Sequence, residues 1–89
     1  MNIKNYFVEI FNLLNSVEED SWSKEFESLI TGFESFEKKD LLQRVAKMYG
    51  GFGSFNDLVL YKNGKVCFEE NQKLDELRKM LFEELKKIA

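Results

Sequence analysis

The sequence predicts a mainly α domain of the α+β kind: four helices, with one β-hairpin inserted between helices 3 and 4. Three observations lead there. Apolar residues recur at i, i+3, i+4 and i+7 in four separate stretches, the spacing that lines one face of an α-helix. Asn63-Gly64 stands between two β-prone runs, Leu58-Val59-Leu60-Tyr61 and Val66-Cys67-Phe68, and Asn-Gly is the dipeptide best suited to a two-residue hairpin turn. Gly50-Gly51 interrupt the third stretch just before the period changes. Glycine accepts the left-handed conformation that ends helices.

In the first stretch the stripe is Ile3, Tyr6, Phe7, Ile10, Leu13, Leu14 and Val17, opposite Lys4, Asn5, Glu9 and Asn12. Asn2 fits an N-cap, where a side-chain oxygen receives a free backbone N–H. Asn15 to Asp20 reads as a tight connection. Ser16 and Glu19 have capping-box spacing, and Asp20 is another possible cap. Trp22, Phe26, Leu29, Ile30 and Phe33 continue the helical pattern. Acidic residues crowd the start of this second helix, where the macrodipole favours them, and Gly32 weakens its end.

The third helix is expected from Lys38 or Lys39, with Leu41, Leu42, Val45, Met48 and Tyr49 inward and Asp40, Gln43, Arg44 and Lys47 outward. A two-residue turn at Asn63-Gly64 then pairs Tyr61 with Val66, Leu60 with Cys67 and Val59 with Phe68. One face of the hairpin carries Val59, Tyr61, Val66 and Phe68; the other carries Leu58, Leu60 and Cys67. Both faces are apolar, and at least one must pack on the helices, because an isolated hairpin is marginal in water. The last helix is expected from Asn71, a candidate cap, to Ile88. Leu74, Leu77, Leu81, Leu85 and Ile88 form its stripe, with Met80 and Phe82 beside it. Asp75 with Lys79 and Glu83 with Lys87 have the i,i+4 spacing of helical ion pairs, and Lys86 and Lys87 suit its C-terminal end.

Residues 1–89 are read as one domain. Nine Phe, three Tyr and one Trp can supply a core, since each buried aromatic removes roughly 150–250 Å² from water. Cys67 is the one cysteine, which excludes an internal disulfide and suits a reducing compartment. The opening residues lack the apolar run of a secretory signal, because Asn5, Glu9 and Asn12 interrupt it. No stretch approaches the roughly 18 apolar residues of a membrane span. A cytoplasmic protein with no membrane association is the expectation.

The chemistry of catalysis is thinly represented. The chain has no histidine, which removes the commonest general base and, with a single cysteine, ordinary zinc sites. No EF-hand spacing occurs. No cofactor or metal is expected. The glycines from Gly50 to Gly53 follow a helix and precede no lysine, so they lack the strand–loop–helix context of a phosphate-binding loop. Asp57, Glu69 and Glu70 are carboxylates near the hairpin; acid–base work would need a cleft that moves one of their pKa values, and two adjacent glutamates at a helix entrance are more simply charge at the favourable end. The protein is not expected to be an enzyme.

Charge is uneven. Residues 1–37 hold two basic and eight acidic side chains, and residues 38–89 hold eleven basic and eight acidic. With a pI near 5.0, nucleic acid is a poor partner, because phosphate neutralisation needs a basic surface. Glu18, Glu19, Asp20, Glu25 and Glu27 are the candidate partner-binding residues, able to steer a basic surface.

Tyr49-Gly50-Gly51-Phe52-Gly53-Ser54-Phe55-Asn56-Asp57-Leu58-Val59-Leu60 resembles the signature of a family of small, functionally uncharacterised bacterial proteins. There the motif reads Tyr-Gly-Gly-Met-Gly-Ser-Phe-Asn-Asp-Leu-Val-Leu, so Phe52 is the one departure. The resemblance extends to Trp22 in the preceding helix, and to Asn71 and Leu74-Asp75-Glu76-Leu77-Arg78 in the following one. By analogy, small acidic proteins of this kind resemble immunity proteins that neutralise secreted bacterial toxins in the producing cell. That resemblance implies a protein partner, a cognate toxin, bound by direct contact. The other reading is a regulatory or structural module that binds a ligand or protein through the motif loop: Gly50, Gly51, Gly53, Ser54, Asn56 and Asp57. The motif also has a purely architectural explanation. Its glycines allow close backbone approach, Asn56 or Asp57 can close an Asx-turn, and Phe52 and Phe55 can anchor the loop.

Overall fold

The computed structural model describes residues 2–35, 37–50 and 54–88, apart from the side chains of Lys38 and Ile88. It has four helices, with a two-stranded antiparallel hairpin between the third and fourth. The elements are α1 (Ile3–Ser16), α2 (Asp20–Thr31), α3 (Lys38–Met48), a 3-10 turn (Phe55–Asp57), β1 (Tyr61–Lys62), β2 (Lys65–Val66) and α4 (Phe68–Ile88). The helix α1 packs against both α2 and α4. No described helix is long and apolar enough to cross a membrane.

The core follows the stripes. Phe7, Ile10, Leu14, Phe26, Leu29, Val45, Phe55, Leu60, Leu74 and Leu81 are fully buried. Phe7 meets Phe26 edge-on at 6.0 Å and Phe33 at 6.3 Å between ring centroids. The expected faces of α1 and α3 are found, with Leu42 and Tyr49 only partly covered. Asn2 caps α1 by accepting the Asn5 N–H at 2.9 Å.

The connection between α1 and α2 is tighter than its sequence suggests. Glu18 N–H donates to Asn15 O at 3.1 Å, and Glu19 N–H donates to Leu14 O at 2.9 Å. This is the Schellman closure of a helix, which places its C′ residue in the left-handed region. That residue is Glu18, at φ +60°, where glycine is the usual occupant. Glu19 then caps α2, its carboxylate accepting the Trp22 N–H at 3.0 Å. Asp20 is the first residue of α2 rather than its cap.

Four expectations need correction. First, Gly50 does not end α3 by turning left-handed: Gly64 is the described glycine with positive φ. The helix stops at Met48, and its last carbonyls are closed by Tyr49 N–H to Ala46 O and Gly50 N–H to Lys47 O. Gly51, Phe52 and Gly53 lie outside the described residues. Second, Val59 and Phe68 do not form a ladder pair, because Phe68 already opens α4. Tyr61 does face Val66 as expected, and Asn63 and Gly64 both have positive φ, the geometry of a type I′ turn. Third, α4 begins three residues before Asn71, so Asn71 is not its cap. Fourth, the ion pairs on α4 are at i,i+3: Asp75 with Arg78, Glu83 with Lys86 and Glu84 with Lys87.

Candidate binding surface

Two side chains from α4 hold the segment between α3 and the hairpin. The Asn71 amide oxygen accepts the Leu60 N–H at 2.7 Å. Its amide nitrogen donates to Leu60 O at 3.0 Å and to Cys67 O at 2.8 Å. Cys67 N–H reaches Leu60 O directly at 3.0 Å. Asn71 therefore finishes the ladder at the point where the strands part, and satisfies backbone groups of a fully buried residue.

Seven residues on, two helical turns along the same face, Arg78 does the same for the motif. Its guanidinium donates to the carbonyls of Phe55 at 2.8 Å, Leu58 at 3.1 Å and Asn56 at 3.3 Å, and pairs with Asp75. A buried charge is tolerable when every donor direction has an acceptor. The same guanidinium stands 5.7 Å from the centre of the Phe55 ring. Phe55 in turn touches Trp22, Phe26 and Tyr49, with centroids 5.0–5.7 Å apart. Tyr49 donates its hydroxyl to Arg78 O at 2.9 Å. Burial holds the Tyr49 hydroxyl well above its ordinary pKa of 10, against the smaller opposing pull of Arg78.

Among the described residues of the motif, Phe55 and the backbone carbonyls of the 3-10 turn serve the fold, the first as a core residue and the others as acceptors for Arg78. Asn56 and Asp57 are exposed. Ser54 Oγ is buried without a hydrogen-bond partner among the described residues. Gly50 is exposed, and among the described residues the atom nearest to a Cβ placed there is Lys47 O at 3.8 Å, an ordinary contact. Asp57 lies in a groove with Ser54, whereas Glu69 and Glu70 sit in the first turn of α4.

The five acidic candidates divide. Glu19 is a helix cap. Glu25 binds Arg44 Nη2 at 2.9 Å, and Arg44 also donates to Ser28. Glu18, Asp20 and Glu27 are exposed, and none forms an ion pair with a described side chain.

Beside this turn is a surface that the sequence pattern did not assign. Leu60 is buried, and Leu58 and Cys67 are partly covered, so the inward hairpin face is settled. The other face is left to solvent: Val59 is 48 %, Tyr61 56 %, Val66 40 % and Phe68 82 % exposed. A groove of about 400 Å³ meets this face at Val59 and Tyr61 and is lined also by Trp22, Ser54, Asp57 and Leu58. Lys62 at the hairpin tip donates to Ser16 O at 3.3 Å, which sets the tip against the α1–α2 turn. The alternation of β-prone residues indicated two apolar faces; only the packing decides which one stays wet.

No curated protein and no solved structure matches the chain. A family model, that of a domain of unknown function (DUF6966), matches residues 15–67, from the last turn of α1 to the end of the hairpin. With more than half of its length covered by that model, the chain belongs to the DUF6966 family.

Proposed function

We propose that the protein works by binding another protein and inhibiting it, as an immunity protein that neutralises a bacterial toxin by direct contact in the cytoplasm. The observation that carries this reading is Glu18. A glutamate occupies the left-handed position of the α1–α2 closure, with its side chain exposed. A non-glycine residue there is strained by roughly 1–2 kcal/mol. Retained strain of this kind gathers at functional positions. Together with Asp20 and Glu27 it gives an acidic surface able to steer a basic partner, an effect that raises association rates to about 10⁸–10⁹ M⁻¹s⁻¹ at low salt.

The test is co-expression with the product of the adjacent gene. Rescue from toxicity, with an association rate that falls at least tenfold in Glu18→Lys/Asp20→Lys and loses its salt dependence, is expected. A neighbour that is no toxin, and no rescue, removes the proposal.

The reading that the Gly50–Asp57 loop binds a ligand has one observation in its favour, the Ser54 hydroxyl, which lines the groove and has no hydrogen-bond partner among the described residues. Replacing Ser54, Asn56 and Asp57 would then abolish activity at an unchanged melting temperature. Equal loss of both returns the loop to architecture.

A further inference from the structure

We infer that the outer face of the hairpin, with the Trp22 groove beside it, is a docking site for a partner that presents apolar side chains flanked by lysine or arginine. The inference rests on the protein-binding reading above and supplies its surface. The apolar groups form one continuous strip. Tyr61 and Val66 are directly opposed in the ladder. Tyr61 and Val59 share the groove with Trp22. The Cys67 N–H donates to Leu60 O, so Phe68, the next residue and the first of α4, begins beside the Leu60 end of the strip. Phe68 is the most exposed large apolar side chain described. Isolated exposed apolar residues are ordinary, but a contiguous strip with a polar rim marks an interaction site.

The rim selects the occupant. Asp57 stands in the groove wall, Glu69 follows Phe68, and Glu18 and Asp20 lie on the turn that the hairpin tip touches. Lys62 and Lys65 are the cations of the hairpin, the Lys62 ammonium directed to the Ser16 carbonyl, and Lys47, with Arg44 held by Glu25, borders a separate hollow on Trp22. An apolar strip edged mainly by carboxylates favours a basic, amphipathic partner. A second copy of this chain would bring the same carboxylates together, and like charges across an interface oppose association.

Trp22 is the single tryptophan and lines the groove, so its fluorescence reports occupancy directly. The probes are an amphipathic leucine–lysine peptide and a leucine–glutamate peptide of equal length, titrated into the intact protein. The expected result is a saturable change with the leucine–lysine peptide, at least tenfold weaker binding of the leucine–glutamate peptide, and at least a tenfold loss in Tyr61→Thr/Phe68→Ser. Val59→Thr/Val66→Thr is the second variant, should the first fail to fold by circular dichroism. Equal binding of both peptides, no binding, or unchanged affinity in the folded variant overturns the assignment. So does a concentration-dependent dimer in sedimentation that Tyr61→Thr/Phe68→Ser abolishes, since a second copy would then be the occupant. If a toxin partner is captured equally well by wild type and variant, the inhibitor reading stands and this surface falls. Peptide binding at this face with no toxin partner supports the surface while the inhibitor reading falls.

Discussion

Replacing the Asn71 amide separates two accounts of this residue by the size of the loss and by whether aspartate can stand in for it. In Asn71→Ala, Leu60 O keeps the Cys67 N–H, and Cys67 O keeps the backbone N–H of residue 71. Leu60 N–H loses the amide oxygen at 2.7 Å and is left in a fully buried residue. An orphaned buried donor costs about 1–3 kcal/mol, and each weakened carbonyl about 0.5–1.5 kcal/mol. Alanine returns roughly 0.5 kcal/mol of helix propensity. The expected loss is therefore about 1.5–5.5 kcal/mol, and a loss of about 3 kcal/mol within that range corresponds to roughly 12–24 °C in melting temperature for a domain of this size. Asn71→Asp is the sharper variant. As a helix cap, aspartate would serve as well as asparagine. In the observed geometry it keeps one acceptor for Leu60 N–H but turns a carboxylate oxygen toward the carbonyls of Leu60 and Cys67. It should destabilise at least as much as alanine. Urea unfolding followed by circular dichroism gives the free energies, and amide exchange at Leu60 gives the local effect. A neutral Asn71→Asp, or a Leu60 amide that stays protected in Asn71→Ala, refutes the clamp.

Arg78→Lys should be destabilising by about 2–4 kcal/mol in the same unfolding assay, because an ammonium cannot reproduce a planar fork that serves several carbonyls and a carboxylate. Glu18→Gly should raise stability by about 0.5–1 kcal/mol, the relief of left-handed strain less the entropy of glycine; a lower melting temperature would contradict the Schellman closure. The folded state holds the Tyr49 proton more tightly than the unfolded chain. Its contribution is therefore intact below the ordinary pKa near 10 and lost as pH rises above it, at up to about 1.4 kcal/mol per pH unit. Tyr49→Phe should be less stable near pH 7 by about 1 kcal/mol and show a shallower alkaline decline; parallel curves in alkaline urea titrations would exclude this role for Tyr49.

What was legible in the sequence was what local periodicity encodes. The stripe from Ile3 to Val17 and the Asn63-Gly64 turn are statements about neighbours, and the structure has both. Asn71 was misread because its partners, Leu60 and Cys67, come from the hairpin rather than from the first turn of a helix. A polar residue just ahead of an apolar stripe looks like a cap whenever the true helix start, here Phe68, carries an aromatic side chain. Arg78 resembles any outward-facing basic residue, since nothing local announces three carbonyls above it. The left-handed Glu18 leaves no trace either, because the usual signal for that conformation is glycine. The glycines that were visible, at 50 and 51, pointed to a helix stop that Gly50 does not provide by that means.

The way the hairpin is held bears on why its outer face stays apolar. Two residues per strand are too few to persist alone. The hairpin is instead fixed from within and from its ends, by buried Leu60, by the Asn71 amide and by Lys62 on the Ser16 carbonyl. None of these contacts involves the side chains of Val59, Tyr61, Val66 or Phe68. Polar replacements on that face should therefore be nearly neutral for folding. In Tyr61→Thr/Phe68→Ser, threonine keeps strand propensity, and serine is tolerated at the start of a helix. The loss is limited to the Tyr61–Val66 cross-strand contact, about 0.2–1 kcal/mol. Exposed aromatics also raise the hazard of edge pairing between hairpins, so the same variant should be the more soluble at high concentration. A loss above about 2 kcal/mol in urea unfolding would mean that these groups serve the fold, and the case for a partner at this face would lose its physical basis.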